Sequence, residues 1–370
     1  LADVAGGCND AVLVVPDWTR PLPLPEILPV LLSRLSRAGL SDDRITIIVA
    51  CGTHPGIDDE RLRRQIGPLP AAIRVLQHDA RDPSGLEVVG ELRDGLPLRI
   101  NRAVIEADVM VTLSGVRHHY FAGFGGGPKM VFPGLGGYRE IQANHALVLR
   151  GETAERMLDE RCRAGRLDGN PVAEEIARAA AARPPDFTIC TVPGLDGGVA
   201  WAAAGSAAPT FAKAVERVRT WYEIPAPDPF ELMVASGGGA PSDSTLIQGH
   251  KAFDAACAFL APGCELLLAA ALDRGLGASD MQPFVDDPRP QAIAERLAAS
   301  WVQYGHTTLR LLDKTARFRV HLRSCFDEAA ARSLGFEPIT DPGTVLDRWR
   351  EEFPGATVGV VTGPPVYPRH

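Results

Sequence analysis

The chain has 370 residues, 45% of them hydrophobic and 23% charged, an ordinary globular composition and more than one typical core organises, so two domains are expected. Its formal net charge of −8 argues against nucleic acid or an anionic membrane as partner, because neither attracts an acidic surface. No apolar run is long enough to span a membrane, and the stretch Leu266–Leu272 fits a buried strand instead.

No basic-then-apolar leader opens the chain, and it begins with Leu1 rather than Met, so a cytoplasmic protein with a trimmed start is expected. The seven cysteines, Cys8, Cys51, Cys162, Cys190, Cys257, Cys264 and Cys325, are odd in number and never spaced C-x-x-C. That pattern speaks against a disulfide framework or a thiolate zinc site and suits a reducing compartment. Of 38 basic residues only Lys129, Lys213, Lys251 and Lys314 are lysine. A lysine inside a motif therefore stands out against an arginine background.

In chain order, short β-branched or aliphatic runs alternate with amphipathic stretches. Ala11–Val15 predicts a buried strand, followed by the polar turn Asp17-Trp18-Thr19-Arg20-Pro21 and a helix over Pro25–Ala38. Ile45–Ala50 predicts a second strand, then Gly52-Thr53-His54 and a helix over Asp58–Gln65. A third strand, Val109–Leu113, leads into Ser114 to His119; a helix over Val172–Ala182 and a strand over Phe187–Val192 follow. The three prolines of Tyr222–Pro229 mark a boundary between domains 1–225 and 226–370. Beyond it come the strand Leu232–Ala235, opening onto Ser236-Gly237-Gly238-Gly239, and the strand Glu265–Ala269. Helices over Asp327–Leu334 and Val345–Phe353 and a strand over Val358–Val361 complete the series. Such alternation predicts an α/β protein of two domains, with mainly parallel sheets flanked by helices. Open α/β sheets bind ligands outside the carboxyl ends of their strands, so four polar clusters at four strand ends point to one shared site.

The run Phe121-Ala-Gly-Phe-Gly-Gly-Gly-Pro-Lys129 is a glycine-rich loop ending in a lysine. Glycines 125, 126 and 127 would let backbone N–H groups approach a phosphate, although a plain flexible loop fits glycines alone equally well. It is not a Walker A loop, since Met130 follows the lysine. Histidine is scarce, yet His118, His119 and His145 fall in one stretch, with His54 and His78 at or after strand ends. Imidazole serves both as a metal ligand and as a proton carrier near neutral pH; a single histidine is more often a hydrogen-bonded structural residue. A zinc site drawing on Asp17 or Asp79 stays open, though no H-E-x-x-H spacing supports it. Asp17 suits a helix cap as well as a site, and Arg20 a surface pair as well as a clamp for carboxylate or phosphate. Gln248 and Lys251, three apart at a probable helix start, share a face.

Together these stretches resemble the lactate racemase family. The match is carried by D-x-T-R-P at Asp17–Pro21, G-T-H at Gly52–His54, and H-x-F-A-G-F-x-G-G-x-K-x-x-x-P-G from His119 to Gly134. It continues through Gly137-Tyr138-Arg139-Glu140-Ile141 to Asn144-His145, and to S-G-G-G-x-P-x-D with Gln248 and Lys251 in the second half. The resemblance implies a racemase or epimerase acting at C2 of a 2-hydroxy acid by reversible hydride transfer. Its cofactor would be a nickel-pincer nucleotide, pyridinium-3,5-bisthiocarboxylic acid mononucleotide nickel, linked covalently to Lys129. His145 would then ligate nickel, and His54 and His119 would be the catalytic acid–base pair. Asp17, Thr19, Arg20, Gly125, Gly126 and Gly127 would face the cofactor, while Arg20, Gln248, Lys251 and Trp301 would face the substrate. Residues 1–225 would be the catalytic and cofactor-binding domain, and 226–370 would complete the substrate cleft. Enzymes that build the cofactor would be transient partners. Pro55 and Ile247 stand where relatives often carry Arg and Tyr, which favours a larger or more polar 2-hydroxy acid at least as much as lactate. Two other classes remain: a histidine-metal hydrolase, and a non-catalytic nucleotide-binding or cofactor-carrier protein.

Overall fold

Ala11–Pro16 (β1) is apolar throughout and buried at every position, as a strand covered on both faces must be. Around it lie β2 (Ile45–Ala50), β3 (Arg74–Gln77), a β4–β5 hairpin (Leu86–Glu91, Pro97–Asn101) and β6 (Val109–Gly115). A two-residue ribbon, β7 (His118–His119) with β8 (Gly123–Phe124), and β9 (Phe187–Pro193) and β10 (Val199–Gly205) follow. The main sheet runs β10-β9-β6-β1-β2-β3. It is parallel except for the edge strand β10, with Ala11 of β1 opposite Ile45 of β2 on one side and Val109 of β6 on the other. From β1 the chain winds to one side through β2 and β3, then to the other through β6 and β9. The reversal lies between β1 and β6, whose carboxyl ends border the crevice where such sheets hold ligands.

The structure is a computed structural model that describes residues 1–149, 158–195, 197–225, 228–363 and 365–369. The chain divides into two units, Leu1–His145 with Arg161–Val218, and Ala146–Glu160 with Arg219–His370. Within the proline-bearing segment expected to separate domains, residues 226–227 lie outside the described residues.

In the first unit the helix Leu24–Arg37 turns Leu24, Leu28, Leu31, Leu32 and Leu35 onto one face, the 3.6-residue spacing of an amphipathic helix. That face packs on Leu13, Val15, Ile45 and Ile47. Each fully buried leucine contributes about 1.5–3 kcal/mol, so this layer holds β1 and the residues beyond it in place.

The second unit holds β11 (Glu223–Pro225), β12 (Phe230–Ser236), β13 (Leu260–Ala269), β14 (Arg319–Arg323), β15 (Glu337–Pro338), β16 (Val358–Val361) and β17 (Tyr367–Arg369). Its sheet, ordered β15-β14-β13-β12-β16, is parallel throughout, and β11 pairs with β17 in a small parallel ribbon. Buried Glu265 on β13 meets Arg348, the Trp349 indole N–H at 2.6 Å and His321 at 2.9 Å. Burial alone would raise the Glu265 pKa, but Arg348, Trp349 and His321 outweigh it and hold the carboxyl at about 2. The expected α/β class with mainly parallel sheets is what the fold shows.

Sequence patterning found the central strands and missed several peripheral elements. The Ala-rich run Val199–Gly205 reads as helix by propensity, yet it forms β10 because antiparallel pairing with β9 satisfies its backbone. Pro262 and Gly263 read as a turn before Glu265, whereas β13 runs on to Leu260 through an irregularity in its pairing with β12. Among the described residues, no helix is long and apolar enough to cross a membrane.

Candidate active site

The polar turn beyond β1 closes when Arg20 N–H donates to Asp17 O at 3.0 Å. Inside it, side chains form a relay. Arg20 Nη1 donates to Thr19 Oγ1 at 3.0 Å, and Thr19 Oγ1 donates to Asp17 Oδ1 at 2.8 Å. His54, arriving from the end of β2, places Nδ1 2.6 Å from Asp17 Oδ2. Burial works to raise the Asp17 pKa, but His54's hydrogen bond, the charges of His54 and Arg20, and the Thr19 hydroxyl together bring it below the ordinary carboxylate value. A carboxylate at that oxygen makes Nδ1 the donor, so neutral His54 presents a bare lone pair at Nε2. Arg20 Nε and Nη2 have no acceptor among the described residues and form an open fork suited to a carboxylate.

Asp17→Asn removes the charge that fixes this tautomer. It is expected to lower kcat by about 10²–10⁴-fold. The stability effect has a definite sign. Because the folded Asp17 pKa is depressed, its contribution is complete above roughly pH 4 and lost as pH falls through the folded value. Urea titrations of wild type and variant should therefore differ at neutral pH and converge in acid.

His119 lies on β7, where strand alternation turns it away from its neighbour; His118 packs instead on Phe124 at 5.0 Å. Its Nδ1 accepts the Ala122 N–H at 3.3 Å. A backbone N–H only donates, so neutral His119 carries its proton on Nε2, the reverse of His54.

Lys129 sits on a short 3-10 turn, Gly127–Met130, directly after the glycine run. Gly127 has φ +54°, and a Cβ there would lie 2.2 Å from the Phe211 ring. A Cβ on Gly134 would lie 2.6 and 2.7 Å from the carbonyl oxygens of Met130 and Lys129. These glycines allow the backbone to wrap closely around the lysine. The run differs from the open phosphate cradle that its composition suggests. Gly125 N–H donates to Arg117 O at 2.8 Å and Gly127 N–H to Ser114 Oγ at 3.0 Å, so only Gly126 N–H lacks a protein acceptor among the described residues. Burial, then repulsion from Arg20, lowers the Lys129 amine to about 7, so a large share is the uncharged base at neutral pH.

The helix Tyr138–Ala146 delivers His145. Asn144 Nδ2 donates to Val172 O at 3.1 Å, which turns its Oδ1 toward His145 Nδ1, also at 3.1 Å. That acceptor fixes the proton on Nδ1 and leaves Nε2 as a lone pair. Burial, then the positive charges of Lys129 and His54, push His145 down to about 3, so it stays neutral in ordinary buffers. Phe121 is the meeting point of these groups. Its ring lies 4.6 Å from His119, 5.1 Å from His145 and 5.6 Å from Lys129 Nζ.

Sequence reading had given no role to Phe121, Asn144 or Ser114, although all three stand inside or beside the motifs it singled out. His78 proves to be structural, buried between Gly136 O at 2.9 Å and the Asn101 amide at 3.1 Å. In the second unit Gln248 and Lys251 are joined, Nζ to Oε1, at 2.6 Å. Trp301 is buried there and stacks on His306 at 5.2 Å.

The sequence model described as the lactate racemase N-terminal domain matches residues 1–157. Lactate racemase of Lactiplantibacillus plantarum is 30% identical over 293 residues, covering 78% of this chain and 67% of that protein. The chain belongs to the lactate racemase family. A second lactate racemase, from Thermoanaerobacterium thermosaccharolyticum, is 28% identical over 299 residues, covering 80% of this chain and 68% of that one. The lactate racemase apoprotein structure from the same organism superposes with a TM-score of 0.88 at 25% identity, over 100% of this chain and 88% of that chain. A Thermotoga maritima protein shares the fold, with a TM-score of 0.67 at 17% identity over 99% and 95% of the two chains. As a member of the lactate racemase family, the chain is an isomerase of the racemase type.

Proposed function

We propose that this member of the lactate racemase family inverts C2 of a 2-hydroxy acid, with His54 and His119 as its acid–base pair and Lys129 and His145 as the holders of a nickel-pincer nucleotide. The observation that carries the reading is the Asp17–His54 bond, which fixes a lone pair on His54 Nε2, beside the convergence of His119, His145 and Lys129 on Phe121. His54 Nε2 is ready to take the hydroxyl proton as base and, once protonated, to return it as acid; His119 would do the same on the other face. Inversion at a carbinol needs one group for the hydroxyl on each face of a planar keto acid, and each group must serve both as base and as acid. The open Arg20 fork suits the substrate carboxylate.

The residues present fit the cofactor. Lys129 offers an amine of which a large share is uncharged near neutral pH, the form that acylation requires, and which has no hydrogen-bonding partner among the described residues. His145 offers one oriented lone pair on a neutral ring. Among the described residues no group of three His, Cys, Asp or Glu is placed to hold a metal, so most donors to nickel would come from the nucleotide. The same finding counts against the zinc hydrolase, which needs about three protein ligands. When bound, the nucleotide supplies the acceptor and donor for the C2 hydride, which side chains do not. His54 and His119 would handle only the hydroxyl proton, Arg20 would orient the acid, and the Phe121 ring gives His119, His145 and Lys129 a shared apolar neighbour.

The test uses protein produced with the cofactor-building enzymes, screened against 2-hydroxy acids in heavy water. Each inverted molecule should keep its original hydrogen at C2, because the histidines exchange only the hydroxyl proton with solvent. Extensive deuterium at C2 after a single inversion would mean proton abstraction from carbon and would overturn the mechanism.

A further inference from the structure

Beside the Asp17 turn, the first unit has a cleft of about 260 Å3 lined by Trp18, Ile57, Arg61, Arg64 and Gln65, none of which has a part in the chemistry above. Trp18 is 47% exposed, with the Arg61 guanidinium 5.9 Å from its ring centroid. Arg61 has no carboxylate at ion-pair distance among the described residues, and Arg64 meets only Glu60, at 3.3 Å on the exposed surface. Gln65 donates Nε2 to Pro16 O at 2.9 Å, which leaves its Oε1 buried and without a donor. The wall is rigid, since the Gln77 amide clamps both the N–H and the C=O of Ile57, at 2.8 and 2.7 Å.

Two arginines on a helix face are by themselves a solvated surface. That account leaves unexplained a half-exposed indole set against Arg61 in a recess. An exposed indole edged by a guanidinium that no carboxylate among the described residues neutralises matches a flat apolar body bearing an anion. The position is specific too. Trp18 stands between Asp17 and Thr19, and Gln65 holds the carbonyl of Pro16, so the cleft borders the turn that carries the acid–base relay.

We infer that this cleft is a specificity subsite for the end of the substrate remote from the reacting carbon, an aromatic or flat apolar body with a second anionic group. The word substrate rests on the racemase reading; binding in the cleft does not. Benzene-1,4-dicarboxylate, titrated into the full chain and followed by tryptophan fluorescence, should give a saturable change that Trp18→Phe abolishes. Arg61→Gln should weaken it by about tenfold or more, as should replacing the probe by acetate, which lacks the ring, or benzyl alcohol, which lacks the anion. No saturable change, or an affinity indifferent to Arg61→Gln, would overturn the subsite. In loaded enzyme, Arg61→Gln should raise KM about tenfold for a 2-hydroxy acid with an aryl carboxylate tail and leave kcat and lactate kinetics unchanged. Equal KM values for wild type and variant with the tailed acid would overturn it as well. Loaded enzyme that racemises no 2-hydroxy acid at all would sink the racemase mechanism while leaving the fluorescence result intact.

Discussion

Lys129→Arg is expected to lose the covalent nucleotide and racemisation together, with activity falling to the assay background, a drop of at least about 10⁴-fold. Acylation needs an amine that is uncharged and nucleophilic. Burial and the neighbouring Arg20 charge bring Lys129 to about 7, so the free base rises as pH passes through that value. Arginine keeps the positive charge at every relevant pH and cannot be acylated. Intact mass of the denatured protein should show the adduct on wild type alone, and peptide mapping should place it on Lys129. Loading should also quicken between pH 6 and 8, roughly following deprotonation of the amine. An adduct surviving in Lys129→Arg, or mapped to Lys251, would refute the assignment.

Removing either histidine of the pair should cost inversion about 10²–10⁴-fold, through loss of proton transfer on one face. His54→Ala and His119→Ala should nevertheless differ from each other. Each variant keeps the group for one enantiomer's hydroxyl, so each should still oxidise that enantiomer to the keto acid in a single turnover while sparing its mirror image. The spared enantiomer should switch between the two variants. The double variant should invert little more slowly than either single one, because the two residues act as a unit. Chiral chromatography of single-turnover mixtures reads all three. Identical enantiomer preference in both single variants would mean that the histidines do not serve opposite faces.

Much of the first unit is legible in the amino-acid sequence. β1, β2 and β6 are short continuous apolar runs, and polar turns follow them, because strands buried on both faces leave no room for polar side chains until they end. Lys129, His54, His119 and His145 stood out by motif and by the scarcity of their residue types. Several elements were hidden because local preference opposes their final state. Alanine favours helix at Val199–Gly205, and Pro262-Gly263 signals a turn inside what becomes β13.

Sequence alone determined which chemical groups exist and which strand ends carry them, since both depend on residue type and on periodicities of a few positions. Tertiary structure decided their states. The Asp17–His54 bond joins residues 37 apart, and Val172, 28 positions on, holds the Asn144 amide that faces His145. The lowered pKa values of Lys129 and His145 come from desolvation and from charges on other elements, neither of which is a property of neighbours in the chain. The Trp18 cleft likewise joins residues far apart in the chain, Trp18 with Ile57, Arg61, Arg64 and Gln65, and Gln65 reaches Pro16 across 49 positions. Burial and long-range hydrogen bonds set electrostatic states because they fix the local dielectric and the nearest partner, and local propensity encodes neither.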